Sequence, residues 1–244
     1  MKTAAIIEAR MTSTRLPGKV LLPVLGRPLL GHLVERLQRA GTLDQVIIAT
    51  TTNATDDPVE ALARELGCGW FRGSEEDVLD RVLRAAHAHE VGLIVEVTGD
   101  CPLMDPAIVD TLVKTFRDGG WDYVSNVIER TYPRGMDAQV FPTAVLDEVA
   151  GLTSDPVDHE HVSLYIYNHP ERFALKNVAS GLPPEYHDLR LTVDTKEDFE
   201  LIRIIFEELY PRKPDFGLRD ILDLFDRRPE LAGINRHVRQ KKVR

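Results

Sequence analysis

Short apolar runs alternate with stretches of helical periodicity through the first half of the chain. Runs of β-branched or aromatic residues bounded by polar loops predict buried strands at Ala4–Glu8, Val46–Thr51, Trp70–Phe71 and Leu93–Val97. Apolar residues recur at helical spacing between these runs and predict helices at Leu29–Ala40, Asp56–Leu66, Glu76–His89 and Pro106–Phe116. Strands that alternate with helices form a parallel sheet covered by helices, so the pattern predicts an α/β fold.

The pattern becomes irregular after a short strand predicted at Tyr123–Ser125. Residues 127–190 hold six of the fifteen prolines, and here we expect two antiparallel strands, Ala138–Phe141 and Phe173–Val178, with a helix at His159–Asn168. A strand at Leu191–Val193 and helices at Thr195–Tyr210 and Leu218–Phe225 follow. We therefore expect one domain over residues 1–244, with segments 1–126, 127–190 and 191–244.

Composition and charge narrow the class of protein. The 244 residues are 43% hydrophobic and 28% charged, which is ordinary for a globular chain and excludes disordered and disulfide-scaffold classes. The apolar runs fall far short of the ~20 residues that span a bilayer, and the first residues do not form a signal peptide. Two cysteines, Cys68 and Cys101, suit a reduced, cytoplasmic protein. The net charge of −9 argues against nucleic-acid binding, and we expect the basic tail Arg236–Arg244 to be a solvated end.

The loop Glu8–Val20 follows the first predicted strand and is rich in cations and hydroxyls. It carries Arg10, Arg15 and Lys19 together with Thr12, Ser13 and Thr14. Ligands of parallel sheets bind beyond the carboxyl ends of the strands, where backbone amides and cations can hold a polyphosphate. The spacing is not that of a Walker A loop. An ordinary solvated surface loop is the alternative.

Two carboxylates end predicted strands in the same way. Asp100 follows Leu93–Val97 after Thr98-Gly99, and Asp194 follows Leu191–Val193. Mg²⁺ favours one or two carboxylates completed by phosphate oxygens, so the pair predicts a metal site beside a phosphate loop. Each aspartate has an alternative role, Asp100 in a turn and Asp194 as a helix cap. His159-Glu160-His161 is not interpreted as a zinc site, because adjacent residues point to different faces of a helix and HExxH is absent.

Several segments, in order, resemble one family of enzymes. They are Ile6–Val20, Ala49–Asn53, Phe71–Arg81, Thr98–Leu103, Tyr123–Asn126, Tyr132–Asp137, His159–Val162 and Leu191–Asp194. Together they are similar to the cytidylyltransferases of the spore coat polysaccharide biosynthesis protein F type, relatives of the sialic acid and Kdo CMP-sugar synthetases. Two positions depart from the usual loop: Thr12 stands where glycine is usual, and Glu8 where glutamine or proline is frequent.

The resemblance implies a fold, a reaction and a set of site residues. The fold is a nucleotide-diphospho-sugar transferase domain, GT-A-like and Rossmann-like, with a mostly parallel sheet and a small antiparallel appendage. The reaction is transfer of CMP from CTP to a sugar or sugar acid, with Mg²⁺ or Mn²⁺ as cofactor. Arg15, Lys19 and Asp100 are the expected catalytic residues, and Asp100 and Asp194 the expected metal ligands. The other expected nucleotide-binding residues are Glu8, Ala9, Arg10, Thr12, Ser13, Thr50, Thr51, Asn53, Arg72, Gly73, Ser74, Asp77, Thr98 and Gly99.

The expected acceptor site lies in the irregular middle segment. Arg134 would bind an anion and Asp137 hydroxyl groups of the acceptor, and His159 is a further expected acceptor-binding residue. A surface ion pair between Arg134 and Asp137 is the alternative. The expected partners are thus CTP and a sugar acid, with a homodimer among the expectations and no nucleic acid or membrane. A glycosyltransferase using a nucleotide-sugar is the enzyme alternative, although such enzymes generally carry Asp-x-Asp where this chain has Thr98-Gly99-Asp100. A regulator that binds a nucleotide without turnover is the non-enzymatic alternative.

Overall fold

The computed structural model describes residues 1–240, which form nine β-strands and nine α-helices. The strands are β1 (Thr3–Glu8), β2 (Pro23–Val24), β3 (Arg27–Pro28), β4 (Gln45–Thr51), β5 (Gly69–Gly73), β6 (Leu93–Thr98), β7 (Tyr123–Ser125), β8 (Gln139–Pro142) and β9 (Leu175–Asn177). The helices are α1 (Leu29–Leu37), α2 (Asp57–Glu65), α3 (Val78–Ala88), α4 (Pro106–Arg117), α5 (Thr143–Leu152), α6 (Pro156–Glu160), α7 (Leu164–Asn168), α8 (Lys196–Leu209) and α9 (Leu218–Arg227). The α/β fold is confirmed.

Seven strands form one sheet in the order β5-β4-β1-β6-β8-β7-β9. The strands β5, β4, β1 and β6 are mutually parallel, β8 runs antiparallel to both of its neighbours, and β9 pairs in parallel with β7. The chain adds β4 and β5 on one side of β1 and then crosses to add β6 on the other. This reversal lies between β1 and β6, and such switch points are where open α/β sheets bind ligands.

The sheet is buried on both faces, which explains why its first strands are continuously apolar. Ala5 and Ile7 of β1 pack into the larger core with α1, α4, α8 and α9. Ala4 and Ile6 point to the opposite face and pack against α3 and α5. The alternation follows from the period of two residues along a strand.

The middle of the chain differs from the sequence prediction in three respects. The helix expected at His159–Asn168 is two short helices, α6 and α7, separated by Val162 at φ 26°. The helix α5 was not predicted, and the strand β9 is parallel to its neighbour, not antiparallel. Both β8 and β9 join the main sheet, and the separate antiparallel pair is β2 with β3 near the amino terminus.

The strand predicted at Leu191–Val193 is also wrong, although all its apolar residues are buried. Leu191 N donates to Arg134 O at 2.7 Å and Val193 N donates to Asp100 O at 2.8 Å. The segment therefore bonds to two loops at the end of the sheet and extends no strand. The cap predicted for the following helix is confirmed, since Thr195 and Asp198 form a capping box at the start of α8.

Two expectations concern the ends and the membrane. No helix in residues 1–240 is long and apolar enough to cross a bilayer. The basic tail Arg236–Arg244 lies partly outside the described residues, which end at Gln240.

Candidate active site

A cleft of about 770 Å³ opens at the carboxyl ends of β1 and β6. Its walls come from distant parts of the sequence: the loop after β1, the turn after β6, the segment before α8, and residues of the irregular middle. It brings together most of the residues expected to bind triphosphate and metal: Glu8, Ala9, Arg10, Ser13, Arg15, Lys19, Thr98, Gly99, Asp100 and Asp194. The acceptor candidates Arg134 and Asp137 line the same cleft.

Lys19 lies at the centre of the site between the carboxylates of Asp100 and Asp194. Its Nζ donates to Asp100 Oδ2 at 2.8 Å and to Asp194 Oδ1 at 2.9 Å. The lysine side chain is only 12% exposed. Burial lowers the pKa of Lys19, but Asp100 and Asp194 raise it by more, so the net pKa lies above its ordinary value and the ammonium keeps its charge.

Asp194 is surrounded by cations. Arg15 Nη2 lies 2.8 Å and Arg190 Nη2 lies 2.6 Å from Oδ2, while Lys19 contacts Oδ1. Burial raises the pKa of Asp194, and Lys19, Arg15 and Arg190 lower it by more, so the net pKa lies below its ordinary value. Asp194 therefore stays ionised although it is buried.

Arg190 is held in turn by residues that the sequence did not single out. Its Nε donates to the fully buried Asp198 at 2.8 Å, and Asn235 Nδ2 donates both to Asp198 Oδ1 and to Arg190 O. Gln240 Oε1 accepts from Arg190 Nη1 at 2.6 Å and also lines the cleft. The only sequence signal for this network was the Thr195-x-x-Asp198 spacing of a capping box.

Glu75 ties the loop after β1 to the loop after β5. Arg10 Nη1 lies 3.2 Å from Glu75 Oε1, and Thr12 Oγ1 and Asn53 Nδ2 also donate to this carboxylate. Hydrogen bonding from Thr12, followed by the charge of Arg10, holds the pKa of Glu75 below its ordinary value. Thr12, which replaces the usual glycine, thus donates to another loop and does not line the cleft.

Eight of the expected nucleotide-binding residues lie outside the cleft lining: Thr12, Thr50, Thr51, Asn53, Arg72, Gly73, Ser74 and Asp77. Thr51 bonds to Asp56 within its own loop, and Arg72 pairs with Asp57 at 2.7 Å and Glu60 at 2.9 Å. Asp77 caps α3 by accepting from Asp80 N. The side chains of Thr51, Arg72 and Asp77 are thus engaged in contacts close to them in the chain.

A second pair of carboxyl groups comprises Glu8, which lines the cleft, and Glu96, which is buried on the neighbouring strand β6. Burial raises the pKa of Glu8 to about 7, against the charge of Arg81, and Glu96 hydrogen-bonds to it. Burial and the proximity of Glu8 raise the pKa of Glu96 well above its usual range. The hydrogen bond between the two side chains lowers the pKa of Glu8 and raises that of Glu96, the pattern expected when Glu96 is the donor. Glu8 Oε1 and Arg81 Nε are buried without a protein partner, and both residues line the cleft.

Arg134 is mounted on a turn that packs tightly against the segment before Asp194. Arg134 N donates to Leu189 O, and its carbonyl accepts from Leu191 N. Gly135 follows at φ 96°, and a Cβ there would lie 2.4 Å from the Leu191 carbonyl group, so only glycine fits. An Arg134–Asp137 ion pair was the alternative to an acceptor role, but Asp137 pairs instead with Arg130, at 2.7 and 3.1 Å.

His159 is not among the residues that line the cleft. Its Nδ1 lies 2.9 Å from Asp77 Oδ1, and its Nε2 lies 3.1 Å from Thr153 O. The hydrogen bond to Asp77, together with that to Thr153, raises the pKa of His159. Glu160 and His161, two adjacent residues not assigned to the acceptor, do line the cleft.

The donor chemistry around Lys19 fits a divalent cation. Asp100 and Asp194 each direct one carboxylate oxygen at the Lys19 ammonium, which occupies the position that a metal ion bound to both oxygens would take. Residues 1–240 contain no group of three or more His, Cys, Asp or Glu side chains arranged around a metal position. Two carboxylates completed by phosphate oxygens and water is the coordination that Mg²⁺ commonly adopts beside a nucleotide.

Comparison with known proteins identifies the family. The family model described as cytidylyltransferase matches residues 4–227. The chain belongs to the cytidylyltransferase family. It is 36% identical to the spore coat polysaccharide biosynthesis protein SpsF of Bacillus subtilis, over 93% of this chain and 95% of that protein. It is 30% identical to a 3-deoxy-manno-octulosonate cytidylyltransferase of Geobacter metallireducens, over 73% and 80% of the two chains.

A solved cytidylyltransferase from Leptospira borgpetersenii has the same fold, with a TM-score of 0.88 and 32% identity over 99% of this chain and 100% of that one. The family expected from the sequence motifs is thereby confirmed, as is the enzyme class of nucleotidyltransferases. For a cytidylyltransferase, a cleft lined by three cations of one loop and by the carboxylates of Asp100 and Asp194 has the charge distribution that a triphosphate and its metal require.

Proposed function

We propose that this cytidylyltransferase transfers CMP from CTP to a sugar acid, with release of pyrophosphate, and that the reaction depends on Mg²⁺ or Mn²⁺. The observation that supports this most directly is the convergence of Lys19, Asp100 and Asp194 beside Arg10 and Arg15 in one cleft. Relatives named for polysaccharide biosynthesis and for 3-deoxy-manno-octulosonate support a sugar acid as acceptor.

The chemistry needs no covalent enzyme intermediate. A hydroxyl oxygen of the acceptor attacks the α-phosphorus of CTP, the bond to the β-phosphate oxygen breaks, and its electron pair leaves with pyrophosphate while the hydroxyl proton is released. Arg10, Ser13, Arg15 and Lys19 bind the triphosphate and neutralise the charge that develops on the leaving group. Positioning and charge neutralisation are the main sources of rate enhancement in such transfers.

Asp100 and Asp194 would hold the divalent ion, which when bound neutralises phosphate charge near the reacting phosphorus. Thr98 Oγ1 donates to Asp100 Oδ1 at 2.6 Å and leaves Oδ2 directed at Lys19. Arg190 fixes Asp194 from the opposite side. The protein thus presents one oxygen of each carboxylate to the same point.

Arg134 binds the carboxylate of the acceptor in this proposal. Its guanidinium is half-buried at the cleft wall, and a guanidinium suits the planar geometry of a carboxylate. Asp137, already paired with Arg130, would accept hydrogen bonds from acceptor hydroxyls with its remaining lone pairs. His159 has no direct role here, because its ring nitrogens contact Asp77 and Thr153.

A screen of pyrophosphate release tests the proposal. The purified chain is mixed with Mg²⁺, one of CTP, UTP, ATP or GTP, and a panel of sugar acids that includes 3-deoxy-manno-octulosonate. We expect release that requires CTP, a metal ion and a sugar acid together, with a CMP-sugar identified by mass spectrometry. Neutral sugars of the same size serve as matched acceptors that lack the carboxylate.

Two outcomes would contradict the proposal. Faster turnover with another nucleotide would show that the enzyme is not specific for cytosine. Equal rates with neutral sugars would show that the acceptor needs no carboxylate. Arg134→Ala separates the two substrates: it should raise the KM of the sugar acid more than about tenfold, because a charged hydrogen bond contributes ~1.5–3 kcal/mol. The affinity for CTP should change little.

A further inference from the structure

The cations and carboxylates at the centre of the cleft, together with Arg190 and Asp198 buried beside it, balance each other in charge. Asp100, Asp194 and Asp198 face Lys19, Arg15 and Arg190 through direct contacts of 2.6 to 2.9 Å. The six charges sum to zero. A divalent cation that approaches this cluster therefore meets no net negative charge, although two of its carboxylates suit it in type.

The position between Asp100 and Asp194 is filled by Lys19. The ammonium contacts one oxygen of each carboxylate, and the other oxygen of Asp194 is shared by Arg15 and Arg190. The lysine is 12% exposed and the Asp194 side chain is 8% exposed, so solvent screens their attraction weakly. Removing the ammonium would leave two neighbouring carboxylates without their shared counter-ion.

We propose that Lys19 is an internal counter-ion that keeps the divalent cation out of the site until a triphosphate draws its ammonium away. The inference rests on the proposed function for the identity of the nucleotide. The triphosphate carries several negative charges and lies beside the same loop, so it competes with Asp100 and Asp194 for Lys19 and Arg15. Once these cations bind phosphate, the carboxylates are free to bind the metal.

This arrangement couples the two ligands. A nucleotide that withdraws Lys19 raises the affinity for the metal, and by thermodynamic linkage the metal raises the affinity for the nucleotide by the same factor. Arg190 takes no part in the exchange, because its guanidinium is bonded to Asp198 and its backbone carbonyl accepts from Asn235. The site therefore binds a free metal ion weakly and binds it tightly only when the nucleotide is also bound.

Binding of Mn²⁺ to the full-length chain without nucleotide tests the inference. Free Mn²⁺ is counted by electron paramagnetic resonance for the wild type, Lys19→Met, Lys19→Arg and the control Lys114→Met, an exposed lysine of α4. We expect Lys19→Met to bind Mn²⁺ at least about tenfold more tightly than the wild type, since one unit of positive charge has left the site. Lys19→Arg and Lys114→Met should match the wild type.

Equal Mn²⁺ affinity in the wild type and Lys19→Met would overturn the inference, and so would an equal gain in Lys19→Arg, which keeps the charge. If Lys19→Met does not fold, as judged by circular dichroism, Lys19→Gln replaces it with a neutral side chain that still hydrogen-bonds. A second arm adds a non-hydrolysable α,β-methylene analogue of CTP, which should tighten Mn²⁺ binding in the wild type more than in Lys19→Met. Failure of the analogue to bind, with the metal-only difference intact, would contradict the proposed nucleotide and leave the counter-ion role supported.

Discussion

At the scale of residues, Asp100 and Asp194 carry the same charge in different surroundings. The Asp100 side chain is 23% exposed and contacts Lys19, whereas Asp194 is 8% exposed and contacts Lys19, Arg15 and Arg190. Removing one partner of a buried ion pair leaves the others uncompensated, which is costlier than losing an exposed one. The two residues share a proposed role in metal binding but differ in what they contribute to folding.

We predict that Asp100→Asn and Asp194→Asn each lower turnover by at least ~100-fold, because both charges are needed near the phosphates. Asp194→Asn should also lower the free energy of unfolding by ~3 kcal/mol or more, while Asp100→Asn changes it much less. Steady-state pyrophosphate release and urea denaturation measure the two effects. Equal stability losses in the two variants would show that the cations around Asp194 find other partners.

Glu8 makes the stability of the protein depend on pH. Its pKa is about 7 in the folded chain against 4.5 for an ordinary glutamate, because burial disfavours the carboxylate. Between these values the folded chain binds more protons than the unfolded chain, so the free energy of unfolding falls as the pH rises through that window. The stabilisation is complete below about pH 4.5 and is lost as the pH passes 7.

We predict that Glu8→Gln makes the unfolding free energy less dependent on pH. Relative to the wild type, the variant should be more stable at pH 8 than at pH 5, as measured by urea denaturation at the two values. Glu65→Gln, at an exposed position on α2, is the matched control and should follow the wild type. An unchanged pH slope in Glu8→Gln would mean that the Glu8 carboxyl group is solvated.

At the scale of elements, the turn that carries Arg134 depends on a single glycine. Gly135 has φ 96° and lies against the backbone of Leu191 and Thr192, three and two residues before Asp194. A side chain at this position must push the turn away from the segment that ends in the buried aspartate. The backbone of one wall of the cleft and the position of Asp194 are therefore linked.

We predict that Gly135→Ala destabilises the protein by ~2 kcal/mol or more, since a left-handed conformation and a backbone clash add together. Gly151→Ala is the matched control: this glycine lies in α5 with ordinary φ and open space around its Cβ direction, so alanine should stabilise by ~0.5–1 kcal/mol. Thermal denaturation of both variants measures the difference. A similar melting temperature for the two would show that the turn relaxes easily.

At the scale of the whole molecule, the cleft joins parts of the chain that are far apart in sequence. Lys19 contacts Asp194, 175 residues later, and Gln240 reaches the same site through Arg190. A ligand that binds here contacts elements from the first strand to the last described residues. Its binding free energy therefore adds to the stability of the fold as a whole.

We predict that CTP with Mg²⁺, at a concentration of CTP about a hundred times its Kd, raises the melting temperature of the wild type by about 5–10 °C. Binding at that concentration adds ~2.7 kcal/mol to the free energy of unfolding, and each kcal/mol raises the melting temperature of a chain of this size by ~2–4 °C. Mg²⁺ alone should raise it by far less, because Lys19 occupies the position between the carboxylates. Differential scanning calorimetry with CTP, Mg²⁺, both or neither measures this. If Mg²⁺ alone raised the melting temperature as much as CTP with Mg²⁺ does, the metal would not need the nucleotide and the prediction would be wrong.

Local patterns in the sequence determined the β-α units up to β7. The strands β1, β4 and β6 are largely apolar and the helices are regularly periodic, so these elements could be predicted from their own residues, whereas the short strands β2 and β3 were not. The parallel sheet followed from the alternation of strands and helices, and with it the edge at which the loops after β1 and β6 meet. That Lys19 and Asp100 line one cleft could therefore be anticipated from topology and family motifs.

Tertiary structure decided the rest, because long-range contacts override local preference there. Leu191–Val193 is as apolar as a strand, yet its amides bond to Arg134 and Asp100, so it becomes a wall of the cleft. The helix expected at His159–Asn168 is interrupted at Val162, whose buried side chain packs under the sheet. The counter-ions of Asp194 and the raised pKa values of Glu8 and Glu96 depend on contacts between residues far apart in sequence, which no local pattern encodes.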